Sequence, residues 1–459
     1  MAVKGEQQPP PHILFFPFLA PGHLIPIADM TALFAARGIR CTILTTPVNA
    51  AIIRSTVDRA NDASRTTGCP AIDISVVPFP DIGGLQLGVE NGMALTSDVD
   101  RERFFEAPQL LHEPFERFLA DNRPDAVVSD SFWHCMLARS CTESMLRNNP
   151  LETVPDDPDA LVLLPGLPHR VELRRSKMMI DPAKRPDHWV LFQSINAADQ
   201  RSFGEVFNSF HALEQDYAEH YHKTLGRRAW LDGPVALASK DMAGRGTDAL
   251  SPDANSCLRW LDTKPAGSVV YVSFGTLTTT SPAEMHQLTR GLALSGVDFV
   301  WVIGAAGAAP DTSEWMPEGF AELMGFIIRG WASQLLILDH PAVGGFLTHC
   351  GWNSTLEAVS AGVPMVTWPR YADQLHNEQL VVEMLGVGVS ITGGKDYASS
   401  GEAIAESIVR LMGNSEEGEA IREKAKDLGM KAMCAVENGG SSYNDVGSLM
   451  NELMARRTA

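Results

Sequence analysis

The chain has 459 residues, 45% of them hydrophobic and 20% charged, with a formal net charge of −19. That length suffices for two domains of roughly 200 residues, each with its own core, and the acidity argues against binding to a nucleic-acid backbone or an anionic membrane surface. An anionic ligand must therefore be held by local features. Seven cysteines, Cys41, Cys69, Cys135, Cys141, Cys257, Cys350 and Cys434, are odd in number and lack CxxC spacing, which reads as reduced thiols rather than a disulfide framework. The opening MAVKGEQQPPP has no apolar h-region, and no run approaches the ~18 apolar residues of a spanning helix. The expectation is a cytoplasmic protein without a membrane span.

In chain order, a β-type run from Ile13 to Phe18 leads into a turn with Pro21, Gly22 and His23, a helical stretch to Arg37 and a second strand from Cys41 to Thr45. Further apolar runs at Ile72–Val77, Ala126–Val128 and Leu161–Leu164 alternate with helical patterns such as Phe104–Leu119, which implies a parallel sheet covered by helices on both faces. The pattern breaks around Gly233 and Pro234, and Ala238–Ser256 reads as a polar interdomain linker. The expected division is a first domain over 1–237, a linker over 238–256 and a second domain over 257–459. A second α/β cycle starts at Ser268–Phe274 and delivers Gly275 and Thr276 to a βα turn, where open α/β sheets bind ligands. No GxGxxG follows a predicted first strand, so a nicotinamide dehydrogenase is disfavoured.

A short strand-like run, Phe326–Ile328, precedes Trp331, a flat indole suited either to stacking or to a core. Val343–Leu347 reads as a buried strand, and Thr355–Ala361 has helical spacing that ends at Gly362, a suitable C′ residue. Between them HCGWNS makes a strand-to-helix turn, where backbone N–H groups and the helix dipole attract a phosphate. The alternative is a Ser354–Glu357 capping box with His349 as a turn histidine. Asp373 and Gln374 offer groups suited to sugar hydroxyls, or simply a solvated loop. His23, in PGHLIPI, lies in the turn at the carboxyl end of the first predicted strand, Asp130, in AVVSDSFW, ends another, and histidine suits a general base near neutral pH. Their ordinary structural roles are a turn histidine and a helix N-cap. No His/Cys cluster at metal-ligand spacing appears.

From Trp331 to Gln374 the sequence WASQLLILDHPAVGGFLTHCGWNSTLEAVSAGVPMVTWPRYADQ resembles, almost residue for residue, the donor-binding box of plant family 1 UDP-glycosyltransferases. The resemblance implies the GT-B fold, an α/β architecture of two facing Rossmann-like domains with parallel sheets and an interdomain cleft, whose last helix, here ending near Leu453, crosses back to the first domain. It also implies transfer of a sugar from a UDP-sugar to a small lipophilic acceptor, with neither metal nor other cofactor. Trp331 becomes the uracil platform, Ala332 offers its backbone to the base edge, and Gln334 and Glu357 reach the ribose. Thr276, beside Gly275, joins His349, Trp352, Asn353 and Ser354 at the phosphates. Asp373 and Gln374 read the sugar, and the final glutamine points to UDP-glucose. Ser333 stands where relatives usually have proline, a change expected to be tolerated. His23 is implied as the catalytic base and Asp130 as the carboxylate that orients it. The family inverts, so a single displacement giving a β-glucoside of a phenolic, flavonoid or terpenoid is expected, from a monomer.

The match extends through NNP at Asn148–Pro150, VFNSF at Val206–Phe210 and GGSSY at Gly439–Tyr443. After Asp130, however, the chain is short by something on the order of 20 residues for two crossovers and a strand. Smaller deficits lie near Met324–Gly325 and Ser399–Glu402. They motivate a second reading, a catalytically impaired protein that binds UDP or UDP-sugar without turning it over.

Overall fold

The first apolar runs form parallel strands because helical crossovers join them and cover the sheet. The structure, a computed structural model, describes residues 10–95, 97–130, 135–238, 252–275, 278, 280–303, 316, 320, 325–330, 332–391 and 400–458. They fall into two compact units. The first draws on Met1–Ser131, Ala238–Ala249 and Val446–Ala459, and the second on Phe132–Leu237 and Leu250–Asp445.

In the first unit, β1 (His12–Phe16) is followed by α1 (Pro21–Ala36), β2 (Arg40–Thr45), α2 (Pro47–Thr67), β3 (Ile72–Val76), α3 (Asp98–Phe104), α4 (Ala107–Leu110), α5 (His112–Asn122) and β4 (Ala126–Ser129). The four strands form one parallel sheet in the order β3-β2-β1-β4. Proline opens both α1 and α2, a position where its missing N–H costs nothing. The single helix expected over Phe104–Leu119 is instead divided among α3, α4 and α5. Pro108 and Pro114 explain this, because proline is tolerated only in a first turn.

The second unit begins with α6 (Met136–Asn148), β5 (Leu161–Leu164), β6 (Val171–Arg174), α7 (Pro186–Arg201), β7 (Glu205–Phe207), α8 (His211–Lys223) and β8 (Ala229–Leu231). It continues through α9 (Pro252–Leu261), β9 (Val269–Ser273), α10 (Pro282–Ser295), β10 (Asp298–Ile303), β11 (Gly325–Arg329), α11 (Gln334–Leu338), β12 (Val343–Thr348), α12 (Trp352–Ser360), β13 (Met365–Thr367), α13 (Gln374–Gln379), β14 (Gly388–Ser390), α14 (Gly401–Met412) and α15 (Glu416–Val436). The last helix, α16 (Ser441–Thr458), starts in this unit and has its residues from Val446 onward in the first. Six strands form a parallel sheet in the order β11-β10-β9-β12-β13-β14. Every residue of β9 and β13 is buried, as expected for strands covered on both faces.

Leu161–Leu164 corrects the sequence reading. It does form a strand, but β5 pairs antiparallel with β6, Leu161 opposite Arg174, instead of joining a parallel sheet. Its burial alternates, with Val162 and Leu164 inside and Leu161 and Leu163 exposed, which is the pattern of a strand with one solvated face. Among the described residues β4 pairs only with β1, so the shortened stretch after Asp130 coincides with an edge of the first sheet. Ser131–His134, Met324 and Ser399 lie outside the described residues.

Both parallel sheets reverse their winding beside their first strand. In one the reversal falls between β1 and β4, in the other between β9 and β12, and such switch points open a crevice at the carboxyl ends of the strands. All seven cysteines are free thiols, with Cys41, Cys135, Cys141, Cys257 and Cys350 buried and Cys434 exposed. No helix among the described residues is long and apolar enough to cross a membrane.

Candidate active site

His23 and Asp130 meet at the first switch point. Phe16 and Ser129 are partners at the ends of β1 and β4, so the residues that follow emerge at the same end of the sheet. The Asp130 backbone N–H donates to the Phe16 carbonyl at 3.0 Å, which fixes the start of that turn. The Asp130 carboxylate then takes two donors on one oxygen, the Phe18 N–H at 3.1 Å and His23 Nδ1 at 2.7 Å. A carboxylate can only accept, so Nδ1 carries the proton and Nε2 is left as the basic nitrogen. With side chains 14% and 12% exposed, the pair is shielded yet reachable. His23 lies in the first turn of α1, and Phe18 packs edge-on against its ring at 5.1 Å. Phe18 in turn contacts Phe104 and Phe105, giving the histidine an aromatic surround that the sequence reading did not identify.

The second switch point carries Gly275 after β9 and His349 after β12. His349 is 9% exposed, and its ring lies between two glycines. A Cβ added to Gly275 would sit 2.8 Å from His349 Nε2, and one added to Gly351 would sit 2.5 Å from the same atom. Gly275 also has φ +71°, a conformation that L side chains rarely adopt. Burial, helped by the nearby Arg370 charge, pushes the His349 pKa down to about 4, so the ring is neutral at physiological pH. His349 Nδ1 is buried without a hydrogen-bond partner among the described residues.

The turn that follows differs from a capping box. Gly351 occupies the N-cap position, and α12 starts at Trp352, so Ser354 lies inside the first turn. Its first-turn N–H groups have no carbonyl within the helix to receive them, which makes this end attractive to an anion. Trp352 itself is 3% exposed and donates Nε1–H to the Asn208 carbonyl at 2.8 Å, so its indole serves the core while its backbone remains in the turn. Gln334, at the start of α11, donates from Nε2 to Ser354 Oγ at 3.1 Å and to Glu357 Oε2 at 2.7 Å. Three expected donor-binding residues are thereby brought into one hydrogen-bonded group.

Ala332 is buried beside that group, and Ser333 occupies the N-cap position of α11. A proline there would also precede the helix without interrupting it. Gln374 is 5% exposed, and its Oε1 accepts the backbone N–H groups of Arg370 and Tyr371, leaving the Nε2 amide as the part with donors to offer. Asp373 is tied to the HCGWNS turn through a residue that the sequence reading passed over. Asn377 donates from Nδ2 both to Asp373 Oδ2 at 3.1 Å and to the Cys350 carbonyl at 2.9 Å. Its signal was its position one helical turn beyond Asp373. Thr276 and Trp331 lie outside the described residues. Among the described residues no group of three or more His, Cys, Asp or Glu side chains could hold a metal ion.

A family profile described as "UDP-glucoronosyl and UDP-glucosyl transferase" matches residues 188–405. The scopoletin glucosyltransferase of Nicotiana tabacum is 41% identical over 96% of this chain and 98% of its own length. This chain belongs to the UDP-glycosyltransferase family. The anthocyanin 3'-O-beta-glucosyltransferase of Gentiana triflora is 38% identical, again over 96% of this chain and 98% of the relative. The crystal structure of a Glycyrrhiza uralensis UGT complexed with glycyrrhetinic acid 3-O-monoglucuronide matches with a TM-score of 0.86 at 32% identity, covering 98% of this chain and 96% of that one. The GT-B class and an enzyme using a UDP-sugar donor follow from this membership.

Proposed function

We propose that the chain is an inverting glucosyltransferase that moves glucose from UDP-glucose to a hydroxyl of a small aromatic or terpenoid plant metabolite. The assembled His23–Asp130 pair carries this reading, because it supports turnover rather than donor binding alone. His23 Nε2 takes the proton of the acceptor hydroxyl as that oxygen attacks the anomeric carbon. Asp130 stabilises the imidazolium that forms, and UDP leaves with inversion to a β-glucoside. First-turn N–H groups of α12 and the His349 ring would receive the negative charge of the departing diphosphate. Gln334 and Glu357 would hold the ribose, with Trp331 against the uracil, Thr276 at the phosphates and Asp373 and Gln374 on the sugar.

The aromatic cluster of Phe18, Phe104 and Phe105 beside the base supports a flat acceptor. Relatives named for scopoletin and anthocyanin substrates agree with that class. We further propose an acceptor-binding domain that ends near residue 237, where the sequence pattern breaks, and a monomer in the cytoplasm, the free thiols supporting that compartment. Release of UDP from UDP-glucose in the presence of a panel of phenolic acceptors tests the activity. No release above the acceptor-free rate, with UDP still bound, would make this a binding protein.

A further inference from the structure

Arg370 lies within the donor box but has no assigned part in it. It follows β13 closely, and its guanidinium lies over the Trp368 ring at 4.1 Å from the centroid and beside Phe274, the residue before Gly275, at 5.5 Å. It is therefore near the carboxyl ends of β9 and β13, the two neighbours of β12. Its charge also reaches His349 strongly enough to help keep that ring neutral. Nη1 pairs with Glu284, in the first turn of α10. Nε and Nη2 are buried and have no hydrogen-bond partner among the described residues.

Contact with the aromatic rings satisfies the face of a guanidinium, but its N–H donors lie in the plane, and leaving them buried and unpaired is costly. His349, whose Nδ1 is similarly unpartnered, packs against Gly275, the residue after Phe274. A cation with in-plane donors to spare, next to a helix start and a neutral histidine, is suited to an anion bearing several oxygens. We propose that Arg370 is a further diphosphate-binding residue of the donor site, directing Nε–H and Nη2–H at the phosphate oxygens, with Trp368 and Phe274 fixing the guanidinium plane and Glu284 taking Nη1 and part of the charge. The proposal rests on the reading of the HCGWNS turn as the UDP-sugar site.

Glu284 makes the idea testable in both directions. It neutralises part of the charge that the diphosphate would meet, and glutamine preserves its place in the α10 capping box with Ser281. The experiment is calorimetric titration of the full-length protein with UDP and, separately, with uridine, which has the same base and ribose but no phosphate. Arg370→Met should weaken UDP binding about 10- to 100-fold, the range for hydrogen bonds to charged groups, and change uridine binding less than about twofold. Glu284→Gln should tighten UDP binding several-fold and leave uridine unchanged. Arg370→Lys, which retains the charge but loses the planar fork, should fall between wild type and Met. Equal losses for UDP and uridine in Arg370→Met, or unchanged UDP binding, would show a packing role and overturn the proposal. Should Arg370→Met fail to fold, the Glu284→Gln result decides, and weaker or unaltered UDP binding there rejects it. Wild-type protein that binds neither ligand would overturn the donor-site reading together with this one.

Discussion

In the first unit the histidine at the switch point has its carboxylate already in place, with His23 Nδ1 2.7 Å from Asp130. In the second unit the corresponding histidine, His349, has a buried Nδ1 without a partner among the described residues and a pKa pushed down to about 4. The contrast fits the roles proposed for the two histidines. A general base must have its tautomer and orientation set before the substrate arrives, so the chain supplies the partner itself. A group proposed to receive a phosphate must keep a donor in reserve, so on that reading its partner comes with the ligand.

The strongest way to break this comparison is to remove the proposed base. His23→Ala should lower kcat by about 10²- to 10⁴-fold while leaving UDP affinity nearly unchanged. Asp130→Asn should lower kcat less severely, through loss of ring orientation. Steady-state kinetics beside a UDP titration would check both, and near wild-type kcat in His23→Ala on an unactivated alcohol would remove His23 from the mechanism.

A second test uses the neutrality of His349. In the unfolded chain its pKa returns to about 6.5, so between pH 6.5 and 4 the unfolded state binds a proton that the native state refuses. Stability should thus fall as pH falls through that window, by roughly 2 kcal/mol at pH 5 from this residue. The buried carboxyls of Glu214 and Asp232, whose pKa values are pushed up, work in the opposite direction, so the measurement is a difference. Urea unfolding of wild type and His349→Gln at pH 7 and pH 5 isolates it. An identical pH response in the two proteins would mean that the histidine charges freely in the native state.

The glycines around His349 sharpen the contrast further. Gly351→Ala puts a Cβ where the ring now lies, and overpacking of this kind costs about 1–3 kcal/mol. We expect roughly a tenfold loss of UDP affinity as the ring is displaced. Gly83→Ala, where the added carbon meets nothing within 4 Å, serves as the control and should bind UDP normally. The smallest expected effect is in donor choice. Gln374→His should lower the use of UDP-glucose relative to UDP-galactose, as read by competition between the two donors. An unaltered ratio would place sugar recognition elsewhere.

Much of the local structure around the HCGWNS turn was legible because its residues are near one another in the chain. The run Val343–Leu347 is the body of β12, and Gly362 has the positive φ expected after a helix. The helix start was misjudged by three residues, because Ser354 and Glu357 satisfy a capping pattern that the chain does not use. Their side chains instead receive Gln334, a partner 20 or more positions away, which no local pattern reveals. His23 and Asp130 could each be placed at a strand end, but their meeting depends on β4 lying beside β1, a fact of topology. The strand at Leu161–Leu164 was found while its neighbours were not. Its alternation of inside and outside residues was visible only once burial was known. Arg370 stood in plain view in the donor box, but it becomes noticeable only when its Nε and Nη2 are seen to be buried without a partner among the described residues.

The distribution of thiols has a practical consequence for labelling. Burial pushes the Cys41 and Cys257 thiols up to about 12 and raises those of Cys135, Cys141 and Cys350 as well, so few of their sulfurs are thiolates at neutral pH. Cys69 is partly covered, and its Sγ donates to the Ala36 carbonyl. Cys434, on α15, is left as the exposed sulfur. A maleimide dye added briefly at neutral pH should attach there first, giving a near-single fluorescent handle without any engineered cysteine.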